Sequence, residues 1–317
     1  MKNQLTASTR LLYEECARQE LDVSIINSNL LELKINNRLI YLKGSRTSLQ
    51  SSVGYSIADN KDLTKVILNR HKIPNAKHIV VKKRKQLKKI KQLNFPLVMK
   101  PIDGNQGKGV IVGIKSYSKA RTFFIQSQMQ EKKSMIFEET LVGSEFRILC
   151  IDHKFVAATL RKPAFVVGDG NKTIEELIYE KNHPKIVINY LLAYDLNAQN
   201  LSYTSIPDKG EEVQLRKISN LSSGGEPENV TDQVCEYNKK LFERISLICD
   251  LNVAGLDIMC KTLSKPIDEQ HEAGVIEVNA SPGLRMHHCP LKGKPIDVAK
   301  KIIEMIVKHT RFSPTIL

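Results

Sequence analysis

The chain has 317 residues, a formal net charge of +14 and 41% hydrophobic residues, room for one large globular domain or two to three smaller ones. No apolar run approaches the ~20 residues needed to span a bilayer, and Met1 to Arg10 lacks the apolar core of a secretory signal, so no membrane partner is expected. Cysteines stand at 16, 150, 235, 249, 260 and 289 with no C-x-x-C pair, the pattern of reduced thiols in a cytoplasmic protein.

The positive charge raises the question of nucleic acid. Much of the excess sits in one block from Lys82 to Lys91, which contains no aromatic residue, and the chain has no Trp. Base stacking therefore lacks a platform. The block reads as a solvated helix face or a rim that steers anionic ligands.

In chain order, residues 6–20 carry helical periodicity after a Ser/Thr-rich start. Strands are expected at 23–26, 30–35 and 38–42, the last two joined by the Asn36-Asn37 turn signal. Thr47, Ser48, Ser51 and Ser52 mark a polar connection, and 61–70 reads as a helix ending near Pro74. Residues 95–101 form a buried strand ending in Lys100, followed by the glycine-rich turn 103–109 and a further strand. Glycines let successive N–H groups point at a phosphate. With no G-K-[ST] and a strand following, this is a flap between strands and not a Walker A loop.

Helices are expected at 118–130, 173–181, 186–200 and 296–309, and a long one opening at Val230 and running to about Asp250. Residues 135–147 read as two strands bent at Gly143, and 213–216 as a strand ending in Arg216. Two apolar runs near the C-terminus, 253–259 and 275–279, carry Asp257, Glu277 and Asn279. Alternation places Glu277 and Asn279 on one face, and antiparallel pairing brings Asp257 beside them. Such oxygen donors suit Mg²⁺ and suit zinc poorly. A solvated edge-strand face is the alternative for any one of these acids.

The ordered motifs D-N-K-D-L-T-K, F-P-L-V-M-K-P-I-D-G-N-Q-G-K-G-V, E-E-T-L-V-G-S-E-F-R, R-K-P-A-F-V-V-G-D-G, L-R-K-I-S-N-L-S-S-G-G, A-G-L-D-I and V-I-E-V-N-A-S-P-G-L-R-M-H-H span roughly residues 45 to 292. Together they resemble the ATP-grasp ligases, namely the ATP-grasp module of cyanophycin synthetases and the glutathione-synthetase half of bifunctional glutathione-making enzymes. The resemblance implies an α+β ATP-grasp fold, with a short N-terminal segment (1–60), a small lid subdomain (61–140) and a C-terminal subdomain (141–317).

It further implies ATP with Lys61 and Lys100 on its phosphates, under a flap that includes Gly104, Gln106, Gly107 and Gly109. Glu138, Glu139 and Leu141 border the adenine, and Glu145 takes the ribose. Asp257, Glu277 and Asn279 hold Mg²⁺, with Mn²⁺ as an alternative. Arg216 acts on the transferred phosphoryl and the oxyanion, with Asn220, Ser223 and Gly224 beside it. Arg147, Arg161 and Arg285 are candidates for a substrate carboxylate, structural ion pairs being an equal alternative for the first two. His287 and His288 read as substrate rim or plain structure.

The implied activity is an ATP-dependent carboxylate–amine ligase working through an acylphosphate. It would join amino acids, or a small peptide and an amino acid, as a monomer or homo-oligomer. A glutathione-synthetase-type ligase, a non-catalytic nucleotide- or nucleic-acid-binding protein, and a kinase that stops at the acylphosphate are the rivals. The second ligase half of cyanophycin synthetases and the glutamate–cysteine ligase half of the bifunctional enzymes have no counterpart in the motifs, so substrate identity does not transfer.

Overall fold

The computed structural model describes residues 4–103, 109–130, 134–182, 186–216 and 224–311. The chain divides into two compact units, one of Met1–Thr159 with Asn229–Leu317 and one of Leu160–Glu228. The division into 1–60, 61–140 and 141–317 follows expected roles, whereas this one follows compactness.

In the larger unit, helix α1 (Ala7–Arg18) precedes an antiparallel sheet of β1 (Asp22–Asn27), β2 (Leu30–Ile35), β3 (Arg38–Lys43) and β4 (Arg46–Thr47), in that order. Asn36 and Asn37 both take positive φ (49° and 60°) between β2 and β3, the conformation of a tight two-residue hairpin. Leu31, Leu33 and Ile35 alternate inward along β2, so one face is buried and one open. They join Leu12 and Cys16 of α1 in a shared core.

Helix α2 (Ser52–Asp59) replaces the expected polar connection. Ser51 Oγ accepts the Gly54 N–H at 3.1 Å, so the serines that read as a loop are a helix cap. Helix α3 (Lys61–Arg70) follows at once, and Asn60 Oδ1 accepts from the Asp62 and Leu63 N–H groups.

A second antiparallel sheet holds β5 (His78–Val81), β6 (Leu97–Pro101), β7 (Ile111–Ile114) and β8 (Met135–Glu139) in the order β5-β8-β6-β7. The lysine block becomes a 3₁₀ helix, Arg84–Gln92, with Leu87 and Ile90 turned inward. Three residues per turn put those two on one face. They pack with Ala120 and Phe124 of α4 (Tyr117–Gln130) and with Met99 and Phe137.

The central sheet begins with β9 (Ser144–Ile151) and β10 (Lys154–Lys162), and the chain enters the smaller unit along β10. That unit contains β11 (Phe165–Val167), α5 (Ile174–Lys181), α6 (Tyr190–Asn197) and β12 (Glu212–Gln214), with β11 and β12 antiparallel. Thr173 caps α5 reciprocally with Glu176. Ala164, Val166, Ile174, Leu177, Leu192 and Val213 are among the residues of its own core.

The chain returns through β13 (Glu226–Asn229) to α7 (Glu236–Ile248), β14 (Val253–Cys260), β15 (Gly274–Asn279), α8 (Arg285–His288) and α9 (Val298–Arg311). The sheet order is β13-β10-β9-β14-β15. Helix α7 starts at Glu236 and not at Val230. Residues Thr231–Gln233 are a separate 3₁₀ turn, and Thr231 Oγ1 accepts the Ala158 N–H at 3.0 Å. Val298, Ile302 and Ile306 of α9 close the core over α1 and β2. No helix among the described residues is long and apolar enough to cross a membrane.

At Gly54 in α2, an added Cβ would fall 2.1 Å from the Asp250 carbonyl oxygen. Gly54→Ala is expected to destabilise the larger unit by about 1–3 kcal/mol, the usual cost of overpacking. Chemical denaturation followed by circular dichroism measures it.

Candidate active site

Helix α3 is amphipathic in an unusual sense. Its buried stripe, Lys61, Thr64, Lys65 and Leu68, follows the i, i+3, i+4, i+7 spacing of a core-facing helix, yet three of the four are polar. Thr64 donates to the Ile57 carbonyl at 2.6 Å. The two lysines, one turn apart on the same face, go to carboxylates on different sheets. Lys61 Nζ lies 3.8 Å from Glu277 Oε1 on β15, and Lys65 Nζ lies 3.4 Å from Glu138 Oε1 on β8. His78 Nε2 meets Asp62 Oδ1 at 3.1 Å and ties the helix to β5.

Across β9, β14 and β15, the register aligns Arg147 with Asp257 and Asp257 with Glu277. Residues directly opposite on neighbouring strands stand about 5 Å apart on one face, so a guanidinium and two carboxylates form a row. Arg147 grips Asp257 with two hydrogen bonds, Nε to Oδ1 and Nη2 to Oδ2, the latter at 2.9 Å. Asn279 lies opposite Gly255 and donates Nδ2 to Asp257 Oδ2 at 3.3 Å. The register then slips between Asp257 and Ile258, a local bulge of the kind that re-aims side chains. Gly255 has no Cβ because Pro282 occupies the space, 2.5 Å from where one would be.

Burial raises the Glu277 carboxyl above its ordinary range; Lys61 opposes the shift and Asp257 adds to it. A carboxylate so placed gains from any cation brought to it. Among the described residues, no three His, Cys, Asp or Glu side chains group closely enough to hold a metal ion. Two carboxylates and an amide therefore form an incomplete set, fitted to a hard cation that draws its remaining oxygens from phosphate and water.

The second cluster is the Glu138 carboxylate held between two lysines. Lys100 Nζ on β6 reaches Oε2 at 2.9 Å, and Lys65 approaches the other oxygen. Lys65 and Glu138 are only 2% and 4% exposed. Burial alone would raise Glu138, but Lys100 and Lys65 outweigh it and hold the carboxyl below its usual range. Burial lowers Lys65, with Glu138 opposing. The expectation gave no role to Lys65; its signal was the four-residue spacing from Lys61 in D-N-K-D-L-T-K.

The remaining candidates sit as follows. Glu138 turns into this buried cluster, while Glu139 Oε1 accepts the Asn94 N–H at 2.9 Å. Leu141 lies half-buried between β8 and β9, and Glu145 half-buried on β9 opposite Met259. Gly109 has a φ of 72°, with Pro101 Cγ 3.1 Å from a notional Cβ. Arg285 is exposed on α8. His287 is fully buried and shares a 2.8 Å hydrogen bond with Thr159 Oγ1. Burial, reinforced by Arg147, pushes its pKa down to about 3, which makes it a neutral structural group.

In the smaller unit, Arg161 is buried at the end of β10, Arg216 Nη2 donates to Asn189 Oδ1 at 3.3 Å, and Gly224 takes a φ of 92°. Gly104, Gln106, Gly107, Asn220 and Ser223 lie outside the described residues.

Two outcomes follow from these charges. Glu138→Gln removes the counter-charge of two buried ammoniums, and a loss of about 3–5 kcal/mol in unfolding free energy is expected by urea denaturation. His287 stays neutral in the fold while the unfolded chain takes up a proton below its ordinary 6.5. Stability is therefore lost as pH falls from 6.5 toward about 3, by on the order of 5 kcal/mol. His287→Gln should flatten that part of the stability–pH curve.

Residues 58–166 and 204–306 match the RimK-like ATP-grasp domain. The chain is 34% identical over 280 residues to a cyanophycin synthetase of Trichormus variabilis, covering 84% of this chain and 31% of that protein. It is 30% identical over 319 residues to a glutathione biosynthesis bifunctional protein of Pasteurella multocida, covering 94% of this chain and 42% of that one. A crystal structure of a bifunctional glutathione synthetase from Pasteurella multocida superposes with a TM-score of 0.72 at 28% identity, over 97% of this chain and 44% of that chain. The chain thus spans about a third of the length of the cyanophycin synthetases it matches. By its fold and by the extent of this match, the chain belongs to the RimK-like ATP-grasp family.

Proposed function

We propose that the protein is an ATP- and Mg²⁺-dependent carboxylate–amine ligase. In the first step a substrate carboxylate oxygen attacks the γ-phosphorus of ATP, the bond to the bridging oxygen breaks, and ADP leaves an acylphosphate. In the second an amine attacks the acyl carbon, inorganic phosphate departs with the former carboxylate oxygen, and an amide remains. The observation that supports this reading best is the row Arg147–Asp257–Glu277, with Asn279 beside it and Lys61 at its end. It supplies hard-oxygen donors for Mg²⁺ next to cations for phosphate.

Little covalent work falls to the protein in such chemistry, which runs on positioning and neutralisation of charge. Mg²⁺ neutralises phosphate charge when bound. Asp257, Glu277 and Asn279 are assigned to hold it, and Lys61 and Lys100 to hold phosphate oxygens. Glu139, Leu141 and Glu145 are assigned to the nucleoside. Arg147 is assigned to orienting Asp257, a role that its bidentate grip on that carboxylate favours over binding a substrate. On family resemblance, Arg216, Asn220, Ser223 and Gly224 serve the transferred phosphoryl, while Arg161 and Arg285 serve the substrates.

The testing experiment measures ADP release from Mg-ATP against a grid of amino acids, γ-glutamylcysteine and dipeptides, with mass spectrometry of each product. ADP together with a product lighter by one water than its two substrates establishes ligation, and absence of ATP binding overturns it. A product trapped only by hydroxylamine identifies a kinase. Glu277→Gln and Asp257→Asn should each reduce turnover by two or more orders of magnitude, in line with losing a group that stabilises transferred charge. Arg216→Ala should lower kcat far more than it raises the Kd for ATP, as stopped turnover with intact nucleotide binding in calorimetry would establish.

A further inference from the structure

A cavity of about 350 Å³ lies in the larger unit, away from the row of Arg147, Asp257 and Glu277. Its volume is within the range of small-molecule sites. Its walls include Arg38 at the start of β3, Ser51 ahead of α2, Asp152 and His153 between β9 and β10, and Asp250 and Asn252 between α7 and β14. Asp152 follows Arg147 by five residues along β9. An extended chain advances about 3.3 Å per residue, so about 17 Å of strand separates the two. No residue of this cavity is assigned to the proposed ligation.

Three of its residues hold a backbone conformation that favours glycine. Asp152 and His153 take φ of 53° and 57° as the two central residues of the β9–β10 hairpin, and Asp250 takes 54° just beyond α7. Asn-Gly is the usual solution for such a hairpin, and glycine is the usual residue at the end of a helix. Asp and His tolerate the left-handed region better than most residues with a Cβ, yet glycine is less strained there. Backbone strain of this kind clusters at ligand sites, and here all three ionisable side chains line one cavity.

The polar groups on its wall are of both kinds. Asp152 is already matched, since Lys308 Nζ reaches Oδ2 at 2.6 Å and His309 Nε2 meets Oδ1. Arg38 and Asp250 bring one charge of each sign. Ser246 Oγ donates to the Leu251 carbonyl at 2.7 Å, so it accepts from His153 Nδ1 at 3.0 Å. Nε2 of the neutral His153 ring is then an acceptor. The Ser51 hydroxyl accepts the Gly54 N–H and keeps its own proton to donate. Asn252 Nδ2 donates to the Leu49 carbonyl at 3.1 Å, while Asn252 Oδ1 and the neighbouring Gln50 Nε2 are buried with no hydrogen-bond partner among the described residues. Buried polar atoms call for a partner, and a water held beside a polar guest is one.

These groups select the guest. Among the described residues no three His, Cys, Asp or Glu side chains group closely enough to hold a metal ion. An anion would meet Asp250 and a cation would meet Arg38, and like charges brought together cost affinity. A molecule that carries both signs pairs with both.

We infer that this cavity binds a small zwitterion of the α-amino-acid class, its carboxylate on Arg38 and the Ser51 hydroxyl and its ammonium on Asp250 and His153 Nε2. The inference goes beyond the ligase reading and does not depend on it. Ser51 caps α2, and α2 leads directly into α3, so the guest adjoins the segment that carries Lys61 and Lys65.

The test titrates the full chain, free of nucleotide, with each common α-amino acid in a calorimeter. Each binder is repeated as its α-amide and as its N-acetyl derivative, and on the variants Arg38→Gln, His153→Asn and Asp250→Asn. Asn is at home in the left-handed region, so the last two keep their turns, and melting followed by circular dichroism checks that all three stay folded. The expected result is at least one amino acid whose binding falls about tenfold or more with either blocking group and with each variant. The same binding should be unchanged in Arg285→Ala, at a residue assigned to the ligase substrates. No binding by any amino acid, or blocked forms that bind as well as the parent, overturns the inference. Binding that Arg285→Ala abolishes and all three cavity variants leave intact is substrate binding at the proposed ligase site, and overturns it as well. Absence of Mg-ATP binding removes the ligase reading alone.

Discussion

The structure of the larger unit depends on the two lysines of α3. Lys61 and Lys65 stand one helical turn apart, both buried, and each is committed to the carboxylate of a different sheet. A helix that packs by apolar contact can slide or rotate by a fraction of a turn at modest cost. One whose buried stripe ends in two ammoniums cannot, because each lost contact strands a charge away from water. The capping of α3 by Asn60 and the Thr64 bond to Ile57 fix the same placement from outside. Two carboxylates on different sheets are thereby tied to lysines four residues, about 6 Å of rise, apart on one helix.

The electrostatics of the two clusters differ in a useful way. Glu138 is over-provided with cations and stays ionised in spite of burial. Glu277 is under-provided, since Lys61 at 3.8 Å does not offset its desolvation and the nearby Asp257. Asp257 is meanwhile claimed by Arg147. One carboxylate is thus already paired with two cations, and the other retains an affinity for positive charge. Under the proposed function, the first would hold phosphate through Lys100 and the second would take the cation.

Much of this was legible in the sequence because it lies in strands. The period of two in 275–279 put Glu277 and Asn279 on one face, and antiparallel pairing with 253–259 put Asp257 beside them. The strands of the N-terminal sheet were likewise given by apolar alternation and by the Asn36-Asn37 turn, whereas the helix 61–70 stands where it was expected but buries a mainly polar stripe and leaves Leu63 and Val66 exposed. What sequence could not give were partners separated by long stretches of chain. Arg147 and Asp257 are 110 residues apart, and no local pattern says that an arginine on one strand will face an acid on another. Helix boundaries failed for a related reason. Ser51 as a cap and Ser51 in a loop look alike until Gly54 is seen pressed against Asp250. Val230-Thr231-Asp232 read as the opening of a long helix, but Thr231 is drawn instead to β10, where its hydroxyl accepts the Ala158 N–H.

Buried ion pairs are poor stabilisers, since well-packed apolar residues of similar volume often serve as well or better. Between them the two clusters hold four cations (Lys61, Lys65, Lys100 and Arg147) and three carboxylates (Glu138, Asp257 and Glu277). An apolar design would hold α3 against its sheets without any of them. The charges make better sense as a solvent held in advance, with dipoles and ions already oriented so that little reorganisation is needed when charge is brought in. The folding cost of desolvating them is then met once, when the chain folds, and not at each turnover. On this view Lys65 belongs to the site even though its ammonium is directed at Glu138 and not at open space. By keeping Glu138 ionised it keeps Lys100 held at a fixed point, and Lys100 is the cation of that cluster assigned to meet phosphate.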